Sequence, residues 1–468
     1  MESPVFPVVA WASAGAAAAL GIAAAASFSS TLAIGAAVAI AAVIAVVAYP
    51  ATLPMFLAAS VFMELVSIEG LTISRLLAPI CLIVILVALL RGSATVRLAS
   101  PIYWVGAYVL WAFASGLWTT SVSGTTFLLS SLAIGIVYML AFASLLDSHR
   151  DLERVVWVFA GAALLFGALS LQHFSDVFAW GQVVEEGRSQ GGVGDPNSFA
   201  ATQLVALPLV IAVAAAATKR WLQIGLYLTA LVIIASILTS LSRGGFIGLA
   251  VVLTILVIAP FNLVFRTRRN KAIALLVVAF GTAAIMTRYS SEVISRAESI
   301  FQETNPGTSG GSGRINLWLA ARSAIEEDPW LGLGYGGFRA ESTRLLLETP
   351  GVDLSRYTLR ARDQPVHNSY LEAWTDLGIL GLVLYVGLLI STGRMLRRVS
   401  RRARAVGDFF VSSIAGALLI GLVAYSVISI FISTGTARAF WIIIGLTLAL
   451  PKLVSAASPR HESKPTSA

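Results

Sequence analysis

Long apolar runs broken by short polar ones make up most of this chain. Fourteen of them approach the length, about 17 to 25 residues, at which a helix crosses the hydrocarbon core of a bilayer. They lie near 8–28, 30–48, 51–67, 73–90, 101–118, 127–145, 154–171, 196–217, 221–241, 244–265, 271–287, 367–392, 408–433 and 436–454. Helices are the form in which such runs satisfy their own backbone polarity inside lipid. Residues 14–48 are so rich in Ala and Gly that they also fit two short helices or a re-entrant pair, which leaves twelve spans as the lower figure.

The apolar pattern gives way over a long stretch only between Arg288 and Val366. From Arg314, the residues Ile315, Leu317, Trp318, Ala321 and Ile325 recur at near-helical spacing, with Arg322, Glu326 and Glu327 between them. That spacing predicts an amphipathic helix on the membrane surface or over a cavity. A glycine-dense turn follows from Pro329 to Phe338, then a polar, Arg-rich segment, then HNSYLEAWTDLGILGL. The expected architecture is an all-α polytopic membrane protein of about 12–14 transmembrane helices. Its parts are helices 1–11 over residues 1–287, an external, partly helical loop over 288–366, helices 12–14 over 367–454 and a cytoplasmic tail over 455–468.

Composition agrees: 57% of the 468 residues are hydrophobic and 12% charged, with a mean hydropathy of +0.84. A soluble domain carries about 25% charged residues. The net charge of +8 does not indicate nucleic acid, because Lys and Arg sit mainly in short loops between apolar runs. Arg91, Arg97, Arg150, Arg154, Lys219, Arg220, the Arg266–Lys271 run and the Arg394–Arg404 run all fall on one side if the N-terminus is cytoplasmic. The positive-inside rule then places 288–366 outside. All four lysines fall on the cytoplasmic side, leaving only Arg among the external basic residues. A GC-rich genome explains that bias as well as a phosphate site does. With Glu2 and no basic segment ahead of the first apolar run, the first helix is expected to stay rather than be cleaved. Cys81, the single cysteine, excludes an intramolecular disulfide.

Three places interrupt the membrane pattern with chemistry. In GGVGDPNSFA, Asp195, Pro196 and Asn197 read as a helix start with capping side chains. In SLSRGGFIG, Arg243 lies between two apolar helices, with Gly244 and Gly245 allowing a tight external turn. An Arg at membrane depth is costly and marks a function, unless it snorkels to headgroups. Arg314 stands at the first turn of the amphipathic helix, where the positive helix end adds to its charge and suits an anion such as pyrophosphate, the alternative being an ordinary exposed Arg. His367 heads HNSYLEAW, which puts His367, Tyr370, Leu371 and Trp374 on one helical face. A histidine there is either structural or a base able to deprotonate a hydroxyl. His149, His173 and His461 are scattered, and no acidic cluster accompanies His367 at metal-ligand spacing.

Taken in order, these motifs resemble the O-antigen ligase and polymerase superfamily. They are DPNSFA; Ser242 and Arg243; GR followed by Trp318; the Pro329–Phe338 turn; and His367 and Asn368 with a downstream LG-x-LG pattern. The resemblance covers about Gly191 to Leu382; the Ala-rich Met1–Ala48 adds spans beyond the family's common twelve. It implies a metal-independent, inverting glycosyltransferase of GT-C type, without cofactor, in the bacterial cytoplasmic (inner) membrane with its site on the external face. The donor would be an undecaprenyl-diphosphate-linked glycan, and the product O-antigen, lipopolysaccharide or exopolysaccharide. By the same resemblance, Arg243 and Arg314 would hold the donor diphosphate and His367 would activate the acceptor hydroxyl of a glycan, lipid or protein. Asn197, Trp318, Asn368 and Tyr370 would belong to the substrate pocket. The motifs do not separate ligase, polymerase and protein glycosyltransferase. A lipid-linked glycan flippase or polysaccharide transporter is the alternative class, expected to carry polar residues along several helix interiors.

Overall fold

The computed structural model describes residues 49–64, 67–68, 71–96, 98–171, 188–302, 313–352, 363–433, 435 and 437–456. Among them are fourteen α-helices: α1 (Leu53–Ser60), α2 (Ile73–Leu90), α3 (Ser100–Ala114), α4 (Val122–Leu145), α5 (His149–Leu171), α6 (Pro196–Ala216), α7 (Arg220–Thr239), α8 (Arg243–Ile258), α9 (Arg268–Gln302), α10 (Arg314–Glu327), α11 (Gly337–Glu348), α12 (Ser369–Ala405), α13 (Phe409–Ile428) and α14 (Arg438–Ala456). A two-stranded antiparallel hairpin, β1 (Ser67–Ile68) with β2 (Leu71–Thr72), is the only sheet among the described residues. Eight helices, α2, α4, α5, α6, α7, α9, α12 and α13, are long and apolar enough to cross a membrane. The protein is an all-α polytopic membrane protein.

Burial sorts these helices. The apolar window of α6 is 94% buried, against 11% for Arg268–Thr287 of α9, so α6 is the axis of the bundle and α9 lies at its edge. The α6 sequence explains this: it carries no charge, and its small residues let backbones approach closely. It packs on α13 and α7, with α8 and α5 completing its surround. A second pairing, α4 with α14, is keyed by Gly135, whose absent side chain makes room for the Trp441 ring. Between helices, apolar matching to lipid gives no net drive, so this kind of close fit holds the bundle together.

Not every expected span is one. The apolar run near 51–67 forms the eight-residue α1, too short to cross, because the chain turns there into the β1–β2 hairpin. The runs near 101–118 and 244–265 give α3 and α8 of 15 and 16 residues. Those near 8–28 and 30–48, and the tail beyond Ala456, lie outside the described residues. Beyond the expected end at 287, α9 continues to Gln302 without a break.

Helix direction sorts the two ends of the bundle. At one end Lys271 Nζ donates to the Val257 and Ala259 carbonyls, Asn270 Nδ2 to Ala215 O (3.0 Å), and His149 Nε2 lies 2.7 Å from Asp408 Oδ2. This end carries the Arg394–Arg404 run. At the other end α6, α8, α12 and α14 begin, and α10 and α11 pack on each other and on α12, α11 also on α4, around Leu317, Ala321, Phe338, Leu345 and Val366.

Candidate active site

The site is built from helix starts. Asp195 caps α6, its Oδ1 accepting from Ser198 N at 2.7 Å. Ser242 caps α8, its Oγ accepting from Gly245 N and donating to Asn197 Oδ1 at 2.8 Å. Asn197 Nδ2 lies 3.4 Å from Asp195 Oδ2. The two helix starts are thereby tied together, and Arg243, the first residue of α8, is buried at 4% exposure next to the tie. The turn into α8 is made by Leu241 (φ 50°), not by the glycines. Gly244 and Gly245 lie inside the helix, against Ile428 and Ala200, so the expected role of these two as turn formers is corrected: they permit close packing.

Arg314 is the first residue of α10, after Gly313 in the left-handed region (φ 73°), and is half-buried. Trp318, one turn on, packs beside the cluster around Leu317, Phe338 and Val366, and its buried indole N–H finds no acceptor among the described residues.

His367 is not on a helical face. Asn368 ends the helix by capping it, its Oδ1 accepting from Tyr370 N (3.0 Å) and Leu371 N (3.1 Å), so His367 falls outside α12. It takes a left-handed conformation, φ 55°, which is unusual for a residue with a side chain and marks a strained position. Tyr370 is also engaged, donating through its hydroxyl to Ser426 O at 2.8 Å. Ser369 N and Oγ bond Ser429 O and Ile432 O, which fixes the head of α12 to the end of α13.

The electrostatics of His367 reveal its surroundings. Burial lowers its pKa to about 4, Arg314 and then Arg339 push the same way, and Asp195 opposes them. The imidazole, on the approach to α12, thus lies in the field of charges at the starts of α6, α10 and α11. Sequence reasoning found Arg314 and read Asp195 as a cap, but passed over Arg339. Its signal was the position directly after the glycine turn. Arg339 Nε donates to Asp363 O at 2.9 Å, and its guanidinium lies 5.6 Å from the Phe127 ring, which also faces Arg75 at 5.4 Å.

The glycine turn is held against a kink in α12. Gly378 has φ 66° and ψ −171°, a conformation essentially reserved for glycine, and a Cβ there would collide with the Trp330 carbonyl. Around the kink, Ile379 N donates to Pro329 O and Leu333 N to Thr375 O, each at 2.9 Å. Asp376 accepts from Gly336 N (2.7 Å) and Phe338 N (2.9 Å). The turn's other side meets the α3–α4 connection, where Tyr335 N donates to Ser115 Oγ and Thr120 N to Leu333 O.

Beneath the head of α12 is a cavity of about 120 Å³, lined by Tyr108, Tyr335, Tyr385, Arg339, Ser369 and Glu372. Ser433 lines it and also a neighbouring cavity of about 110 Å³, which contains Ser198, Thr202, Glu64 and Arg438. Arg438 Nε lies 3.6 Å from Glu64 Oε1. Aromatic faces with a carboxylate, guanidinium groups and hydroxyls are the chemistry that binds sugar rings and their hydroxyls. Among the described residues, no three His, Cys, Asp or Glu side chains gather as metal ligands.

Residues 228–386 match the family model described as O-antigen ligase. The matched stretch, about a third of the chain, includes Arg243, Arg314, the glycine turn and His367, and the chain is similar there to the O-antigen ligase family. No curated protein matches the chain. The family match supports a membrane glycan ligase or polymerase role, and that family implies a lipid-linked glycan substrate.

Proposed function

We propose that the protein is a metal-independent, inverting glycosyltransferase that moves a glycan from a polyprenyl-diphosphate donor to an acceptor hydroxyl at the external membrane face. The observation that carries this reading is the place of His367 at the capped head of α12, in a left-handed conformation and within the electrostatic field of Arg314, Arg339 and Asp195. In the reaction, the acceptor hydroxyl loses its proton to His367 while its oxygen attacks the anomeric carbon. The bond from that carbon to the diphosphate oxygen breaks, leaving a polyprenyl diphosphate. Negative charge grows on the leaving group, so Arg314 and Arg243 at their helix starts would stabilise it without a metal. Bidentate guanidinium contact suits diphosphate oxygens in a way an ammonium does not. One proton acceptor suffices, in contrast to the carboxylate pairs of glycoside hydrolysis.

Reconstituted transfer of lipid-linked glycan tests this. His367→Ala is expected to lower turnover by about 10² to 10⁴ with donor affinity little changed. Arg314→Ala is expected to weaken donor binding as well as turnover. Wild-type activity should persist in excess EDTA. Near-normal transfer by His367→Gln, which keeps size and polarity, would remove His367 from the mechanism, and turnover lost to EDTA and restored by Mg²⁺ would remove the metal-free step.

A further inference from the structure

At the end of the bundle opposite the site, a slot of about 790 Å³ opens between α12, α13 and the end of α8. Its floor is hydrocarbon: Ile255, Ile258, Ile390, Leu419 and Val423. Its rim is basic. Arg394, Arg397, Arg401 and Arg404 follow at intervals of three to four residues, so they stand in one row along a single face of α12. Arg394, Arg397 and Arg401 are exposed, and among the described residues no carboxylate forms an ion pair with them. Arg404 is half-buried, with Nη2 donating to Ser412 Oγ at 3.2 Å.

The order of these residues along the helix selects the occupant. Ile390 lies fourteen residues before Arg404, or about 21 Å along the axis. Over that distance the lining passes from apolar to cationic in the direction of the bilayer surface. A soluble phosphate would use the rim and leave the floor exposed, and a neutral lipid would use the floor and leave the guanidinium groups unmatched. A molecule with a phosphodiester at one end and acyl chains at the other satisfies both, and guanidinium pairs well with phosphate oxygens. Gly393 keeps the middle of the slot open: a Cβ there would meet only Leu419 and Leu422, at 3.7 Å.

We infer that this slot is a binding site for an anionic diacyl phospholipid of the leaflet at the basic end of α12, with the phosphodiester on Arg397, Arg401 and Arg404 and an acyl chain against Ile255, Leu419 and Val423. The inference is independent of the proposed transfer reaction.

Native mass spectrometry of the full-length protein, released from micelles doped with equal amounts of phosphatidylglycerol and phosphatidylcholine, tests it. Wild type is expected to retain phosphatidylglycerol at least about tenfold over phosphatidylcholine, because several guanidinium groups would release the bound anion together. Arg397→Gln with Arg401→Gln should abolish the preference. Gly393→Leu, which fills the slot and leaves every charge in place, should abolish retention of both lipids in a protein that keeps its helical circular dichroism. Equal retention of the two lipids by wild type overturns the proposal, as does undiminished phosphatidylglycerol on either variant. Displacement by millimolar glycerol phosphate would reduce the slot to a surface anion site, and preferential retention of a polyprenyl phosphate would assign it to a different lipid; either result also overturns the proposal.

Discussion

An imidazole with its pKa near 4 is a weak base, and the cause of the weakness is also its remedy. After burial, the Arg314 and Arg339 charges are what hold the proton off His367. A diphosphate bound at Arg314 would cancel much of that field and raise the pKa towards the ordinary value near 6.5. The acid limb of kcat/KM, which reports the free enzyme, is therefore expected near pH 4, and that of kcat at a higher pH. Coincident limbs in a rate profile of the reconstituted enzyme would contradict the coupling. Stability has its own sign: between pH 6.5 and 4 the unfolded chain binds a proton at His367 that the folded chain does not. Folding should thus weaken as pH falls through that window, and His367→Gln should remove that part of the pH dependence in thermal unfolding. Arg314 and His367 were legible in the sequence because each stands at a break between polar and apolar patterns. Arg339 and the Glu64–Arg438 pair were not, since their significance arises from partners hundreds of residues away or on another helix start.

Among the elements, α12 shows how a motif can be read without its mechanics. The glycine turn and the LG-x-LG pattern are both visible in the chain, but nothing in their spacing says that they lock together through Asp376 and the Gly378 kink. Helix periodicity encodes a continuous rod, and the break comes from a contact with Trp330, 48 residues earlier. Gly378→Ala is expected to cost at least about 1–3 kcal/mol from backbone strain alone, before the clash with the Trp330 carbonyl. Gly161, mid-helix in α5 with open space around it, provides the contrast: Ala there should be neutral or stabilising by up to about 1 kcal/mol. Melting of the purified variants in detergent compares them, and a Gly378→Ala protein as stable as Gly161→Ala would refute the locked kink. The short α1 was illegible for a related reason: its apolar run is long enough to span, and the hairpin that ends it has no strong turn signature.

For the whole molecule, the apolar runs made the class of protein plain, whereas the number of crossings depended on helix ends that hydropathy alone does not mark. The expected orientation puts α11 outside and the Arg394–Arg404 run inside. In a Cys81→Ser background, Thr349→Cys should react with an impermeant maleimide in cells whose cytoplasmic membrane is intact, and Val406→Cys only after permeabilisation. The reverse pattern would invert the topology. Between the Asp376 carboxylate and the Arg394 guanidinium, α12 offers an uncharged run of seventeen residues, Leu377 to Gly393. That run rises about 26 Å, close to the roughly 30 Å of a bilayer's hydrocarbon core. The helix is thus a depth gauge, with one end fixed at the kink beneath the glycine turn and the other at the basic rim. In a thick bilayer the gauge is too short, and the mouth of the site is drawn below the plane where a water-borne acceptor can reach it. Transfer in liposomes of graded acyl length should therefore pass through a maximum at moderate thickness and decline in the thickest membranes, while detergent micelles, which adapt their girth, should show no such optimum. A rate indifferent to acyl length would mean that the site finds its own depth.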